Sequence, residues 1–146
     1  MSRNLVIVES PAKAKTIEKY LGGAFTVRAS VGHIRDLPKS NKKAIDISAG
    51  FVPHYEISKG KEKVVHELQH LAERADQVLL ATDPDREGEA IGWHICELFG
   101  LSITNTKRII FHEITESAIQ SAISHPKRIN LNLVQAQQAR QILDLL

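Results

Sequence analysis

Cysteine is almost missing from this chain: Cys96 is the only one in 146 residues. No internal disulfide can form, and a reducing compartment is the expectation. Cys96 falls late in an expected helix with no activating neighbour in sequence, which argues against a reactive thiol. No apolar run approaches the roughly 20 residues that a membrane-spanning helix needs. Met1-Ser2-Arg3-Asn4 leads directly into an apolar stretch without the pattern of a signal peptide, so a cytoplasmic protein is expected. Neither charge sign dominates. The net charge of +2 is only mildly basic and is a weak pointer to nucleic acid. There is no Gly-x-Gly-x-x-Gly and no Walker lysine loop to support a nucleotide cofactor, and no Gly-x-Ser-x-Gly elbow. Internal repeats and low-complexity segments are absent too.

What is present is an ordinary globular composition, 42% hydrophobic and 25% charged, over a length that suggests one domain or one domain plus a piece of another. Leu5-Val6-Ile7-Val8 reads as a buried strand. Ser10-Pro11 then supplies a hydroxyl cap and a proline at the first helical position, opening a helix to about Leu21 that Gly22-Gly23 stops. Phe25 to Ser30 predicts a second strand, and residues 36–60 a loop-rich segment. Residues 61–75 carry the stripe Val64, Leu68, Leu71, Ala72 and Ala75 of an amphipathic helix. A strand over 78–82, a helix over 86–99, a strand over 108–112, a helix from Thr115 to about Ser124 and a last helix from near Asn132 complete the order. Alternating strands and helices imply an α/β fold with a mostly parallel sheet of about four strands, covered by helices on both faces. The final residues, Gln141 to Leu146, fall mid-helix without a stop signal, so a piece of a longer protein is expected. A docked C-terminal helix is the alternative.

The stretch Thr82-Asp83-Pro84-Asp85-Arg86-Glu87-Gly88-Glu89 sits where the strand over 78–82 ends and a helix begins. In open α/β sheets ligands bind at that edge. Asp83, Asp85 and Glu87 crowd three carboxylates into five residues, which repel unless a cation lies among them. Mg²⁺ suits such a place, since it accepts a few carboxylates and completes its shell with water and phosphate oxygens. A plain acidic turn favoured by the helix dipole is the other reading. A calcium loop fails, because His94 stands where its bidentate glutamate belongs.

Glu9, at the end of the first strand, shares that sheet edge and is a candidate general acid or base; a lone surface glutamate is the alternative. Lys13, one turn into the first helix, is placed to meet a phosphate at the helix N-terminus, or is simply solvated. The basic surplus between Arg35 and Lys63 can meet phosphates or belong to a solvated loop. His66-Glu67-Leu68-Gln69-His70 matches the zincin pattern His-Glu-x-x-His. On a helical wheel, however, both histidines lie about 160–200° from the stripe centred on Leu68, facing solvent where no cavity can form.

These residues also carry a family resemblance. Val6-Ile7-Val8-Glu9-Ser10-Pro11-Ala12-Lys13-Ala14-Lys15-Thr16-Ile17 resembles the opening of bacterial type IA DNA topoisomerases of the topoisomerase I class. Ser30-Val31-Gly32-His33-Ile34-Arg35-Asp36-Leu37-Pro38, the acidic stretch Ala81 to Ile91, Phe111-His112-Glu113-Ile114-Thr115 and Gln137-Gln138-Ala139-Arg140 resemble the family's further motifs, in order along essentially the whole chain. The chain departs from the family pattern at Gln141 and Leu145, where arginine is common.

The resemblance implies a Toprim fold, Rossmann-like, over residues 1–125, with 126–146 beginning an adjoining domain. It implies a Mg²⁺-dependent enzyme that relaxes negatively supercoiled DNA by transient single-strand cleavage, strand passage and resealing. In the family, Glu9 matches the residue that handles the proton at the leaving 3′ oxygen, and Lys13 one that assists at the scissile phosphate. Asp83, Asp85 and Glu87 match the Mg²⁺ ligands, and His33, Arg35, Arg140 and Asp144 match positions on the DNA side. The family nucleophile is a tyrosine in a downstream domain; Tyr20 and Tyr55 lie in no such motif, so these 146 residues alone are expected to be inactive. DNA, the rest of the topoisomerase chain, a monomeric state and the bacterial cytoplasm, at the nucleoid, are the implied partners and setting. A stand-alone Toprim nuclease or primase-like protein and a non-catalytic nucleic-acid-binding module are the alternatives.

Overall fold

The apolar run at the start of the chain becomes the inner strand β1 (Asn4–Val8) of a four-stranded parallel sheet. The computed structural model describes residues 4–36, 45–46, 52–53 and 55–145. Helix α1 (Pro11–Leu21) starts as the sequence predicts: Ser10 Oγ accepts from the Lys13 N–H at 3.2 Å, and proline opens the first turn. A short 3₁₀ turn (Gly22–Ala24) then leads into β2 (Phe25–Ala29), which pairs with β1.

Between β2 and the next long element lie two small antiparallel ladders. They are β3 (Arg35–Asp36) with β6 (Glu56–Ile57), and β4 (Ile45–Asp46) with β5 (Val52–Pro53). Two-residue strands carry no readable alternation, so the sequence shows this stretch only as loop. Much of the expected loop over 36–60 lies outside the described residues.

Helix α2 (Glu62–Arg74) follows, then β7 (Gln77–Leu80), α3 (Arg86–Phe99), β8 (Lys107–Arg108), α4 (Glu116–Ser124) and α5 (Leu131–Leu145). The sheet order is β2-β1-β7-β8. The strand expected over 108–112 is shorter than predicted. Ile109 still donates to the Leu80 carbonyl at 2.8 Å, but β7 ends there and the chain beyond it turns away, leaving residues 110–112 nothing to pair with. The outer side of β8 is closed by Lys127, which exchanges both backbone bonds with Arg108.

Strand alternation splits the core across the sheet. Leu5, Ile7 and Leu80 face α2, α3 and α5, packing with Val65, Ile91, Ile95 and Val134. Val6, Val8, Leu79 and Ala81 face α1 and α4, packing with Ile17, Ile119 and Ala122. The helices after β1 and after β7 therefore lie on opposite faces. The crevice between the C-terminal ends of these two neighbouring strands is the topological switch point, where α/β sheets bind ligands. His66 and His70 are both exposed on α2, away from its buried Val65 and Leu68. No helix among the described residues is long and apolar enough to cross a membrane.

Candidate functional site

The crevice brings together residues 70 or more positions apart. Glu9 emerges from β1 and Asp83 follows β7. Lys13, in the first turn of α1, reaches both. Its Nζ lies 2.8 Å from Glu9 Oε1 and 3.0 Å from Asp83 Oδ1, with the Lys13 side chain only 10% exposed. The Asp83 N–H donates to Glu9 Oε2 at 2.6 Å, so both Glu9 oxygens are engaged. The ammonium also sits 5.2 Å from the Phe111 ring centroid. For Asp83, the neighbouring positive charge is thus supplied by the chain itself.

Asp85 is the N-cap of α3, and its Oδ1 accepts from the Gly88 N–H at 2.7 Å. Glu87 Oε2 lies 3.0 Å from His33 Nε2, and Arg86 Nε is 3.9 Å from Glu87 Oε1. Asp83, Asp85 and Glu87 are all exposed and each turns to a different neighbour. Among the described residues no three His, Cys, Asp or Glu side chains converge as a metal cage. The donor chemistry nonetheless fits a hard divalent cation. Asp83 and Asp85 each keep one carboxylate oxygen with no protein partner among the described residues. The groups that would have to withdraw, Lys13 and His33, are side-chain tips.

His33 is held by the Ser30–Gly32 turn. Gly32 donates to the Glu9 carbonyl at 2.8 Å, and Ser30 Oγ donates to the Gly32 carbonyl at 2.7 Å. Val31, a β-branched residue, sits at φ 56° in the left-handed region, with its carbonyl taken by Lys61 Nζ. Backbone strain of this kind concentrates at functional sites. Beside the turn, an open cavity of about 310 Å³ is lined by His33, Arg86, Glu87, Gln137, Arg140 and Asp144, among others. It thus gathers three of the four DNA-side residues expected from the sequence.

Arg35, the fourth, turns elsewhere. Its guanidinium is wedged 5.1 Å from the Tyr55 ring and 5.5 Å from Trp93, donating to His94 Nδ1 at 3.0 Å and Glu97 Oε1 at 2.5 Å. Burial, then the charges of Arg35 and His33, push the His94 pKa down to about 3, which keeps its ring neutral and able to accept from Arg35. Burial likewise raises the Cys96 thiol to about 11, so this cysteine is inert.

Two residues behind the acidic turn escape sequence reasoning. Arg108 and Glu89 form a fully buried pair, Nε to Oε1 at 2.8 Å. Burial lowers the Arg108 pKa and the Glu89 carboxylate opposes that shift. The only available signal was a single arginine heading the apolar run Ile109-Ile110-Phe111.

Comparison with known proteins bears on this geometry. Residues 4–114 match the family model of the Toprim domain. The solved structure of full-length topoisomerase I from Thermotoga maritima, in a monoclinic crystal form, is similar to this chain with a TM-score of 0.89 and 48% sequence identity. The match covers 97% of this chain and 24% of that one, so the chain spans about a quarter of the length of the protein it resembles.

Proposed function

The chain belongs to the Toprim family, and from that premise we propose that it is the Mg²⁺-binding part of a type IA DNA topoisomerase, which relaxes negatively supercoiled DNA by cutting one strand, passing another through and resealing. One observation carries the reading: Glu9, Lys13 and Asp83 meet at the switch point of the sheet, beside the cavity that holds His33, Glu87, Arg140 and Asp144. In this reading a DNA strand runs through the cavity, its backbone met by His33 and Arg140. The scissile phosphate lies at the N-terminal end of α1, where Lys13 offsets its charge. Glu9 gives a proton to the departing 3′ oxygen and takes it back on resealing. Asp83, Asp85 and Glu87 would hold Mg²⁺, which when bound supplies positive charge beside the phosphodiester. The enzyme acts as a monomer at the nucleoid of the bacterial cytoplasm.

The attacking tyrosine comes from outside these residues. Tyr20 packs against the core from α1, and Tyr55 lies 4.5 Å from the His94 ring, centroid to centroid. The 146-residue chain is therefore expected neither to nick nor to relax supercoiled plasmid, while the full-length protein relaxes it and stops on chelation of Mg²⁺. Plasmid gels run on both decide. Mg²⁺-dependent relaxation by the short chain, or full relaxation in chelator by the long one, contradicts the reading.

A second expectation concerns Lys13, whose ammonium stands where a metal ion would neutralise Asp83. Lys13→Met keeps the length and removes the charge. Calorimetric titration should then show Mg²⁺ bound roughly tenfold more tightly, as follows from deleting one positive charge a few ångströms from the ion. Relaxation should nevertheless fall, because the phosphate loses its partner. Unchanged or weaker Mg²⁺ binding would show that the lysine and the metal do not compete.

A further inference from the structure

Arg108 is the largest fully buried side chain in the described structure. Its position is costly: taking a charge pair out of water commonly gains no more stability than apolar packing of the same volume would. Its geometry shows what the pair accomplishes instead. Besides Glu89, the guanidinium donates to the carbonyls of Leu80 at 3.1 Å, Ile109 at 3.3 Å and Asp83 at 2.6 Å. It therefore grips the end of β7, the start of the turn that carries the acids, and its own strand. On the far side, Glu89 Oε2 accepts from the Asn130 N–H at 2.9 Å. Asn130 in turn caps α5, its Oδ1 accepting from the N–H groups of Asn132 at 3.1 Å and Leu133 at 3.3 Å. A continuous line of hydrogen bonds thus runs from the Asp83 carbonyl through Arg108, Glu89 and Asn130 to the first turn of the helix that carries Gln137, Arg140 and Asp144.

We propose that Arg108 and Glu89 are positioning residues that lock the acidic turn and helix α5 in one register, so that the metal ligands and the DNA-side residues of the helix are presented together. The inference rests on the proposed function. A planar guanidinium with forked donors is suited to this; a lysine ammonium, with one nitrogen, cannot span three carbonyls and a carboxylate.

The test uses the full-length protein, with Mg²⁺ binding read by calorimetry and single-stranded oligonucleotide binding read by fluorescence anisotropy without metal. Arg108→Lys keeps the buried charge pair and loses the fork. The double variant Glu89→Met with Arg108→Met removes both charges, a change that buried pairs often tolerate. In each folded variant, Mg²⁺ affinity is expected to fall roughly 10- to 100-fold, the range seen when groups behind metal ligands are removed. Oligonucleotide affinity should fall several-fold. A pair that serves stability alone would leave both affinities at wild-type values in a folded variant, and that result overturns the proposal. Failure of Arg108→Lys to fold also overturns it, because the pair would then be needed for the fold itself. If the wild-type protein binds no Mg²⁺, the proposed function falls with the inference; if it binds Mg²⁺ and the variants bind equally well, only the inference falls.

Discussion

Glu9→Gln in the full-length protein is expected to lose about 10²-fold or more of its relaxation rate, the scale of lost general acid–base catalysis. Glutamine matches the shape of glutamate but has no proton to exchange near neutral pH. The surroundings sharpen the expectation. Glu9 accepts from Lys13 with one oxygen and from the Asp83 N–H with the other. An amide has one acceptor oxygen, so it can keep one of these bonds and must turn an N–H₂ toward the other donor. The variant therefore gives up a charge-assisted hydrogen bond, on the order of 1.5–3 kcal/mol. It should melt a little below wild type and still fold. The crevice is not a knot of unrelieved like charges, since the Lys13 ammonium already sits among them. Plasmid relaxation measured beside thermal unfolding separates the effects. Activity within a few-fold of wild type in a folded variant removes Glu9 from the chemistry, leaving it a partner of Lys13 and nothing more.

Which parts of this site could be read from sequence follows from the range of the forces involved. The strand ends and helix starts depend on neighbours a few residues away. Ser10-Pro11 therefore announced its cap, and the apolar run before Asp83 placed the acids on the sheet edge. The family motifs then tied those positions to DNA chemistry that spacing alone left open. What escaped notice depends on long-range packing. Lys13 and Asp83 meet only because β1 and β7 are neighbours in the sheet. Arg35 looks like any base in a basic loop, yet it is drawn into a box of Tyr55, Trp93 and His94 that no local period reveals. Glu89 reads as one more acid in an acidic turn, although helix geometry points it inward to Arg108 while Glu87 stays exposed. The strand at 108 is cut short by where its partner ends, a fact its own composition cannot contain.

Gly88→Ala is expected to destabilise the protein by ~3 kcal/mol or more, the upper range for forcing an atom into filled space. Helix propensity alone predicts the opposite, since alanine in place of glycine inside a helix gains about 1 kcal/mol. Contact decides the sign. A Cβ built on Gly88 would lie 1.9 Å from the Asp83 carbonyl oxygen, 2.7 Å from its carbon and 2.8 Å from its nitrogen. All three atoms are backbone and none can swing aside. That same carbonyl is held by Arg108, and Thr82 Oγ1 donates to the Gly88 carbonyl at 2.6 Å, so the turn and the first turn of α3 are pinned from both sides. Relief requires the turn to move, which pulls the Asp83 N–H from Glu9 and the Asp83 carboxylate from Lys13. Mg²⁺ affinity should fall along with stability. Gly92 provides the control within the same helix: its added Cβ would meet Leu80 Cδ1 at 3.4 Å, an ordinary contact with the end of a side chain. Gly92→Ala should be neutral or slightly stabilising. Denaturant unfolding of the two variants, with Mg²⁺ titrations of each, tests the pair. A Gly88→Ala protein as stable as wild type would mean that the acidic turn gives way easily, and that the close approach of α3 to Asp83 does not set the position of the site.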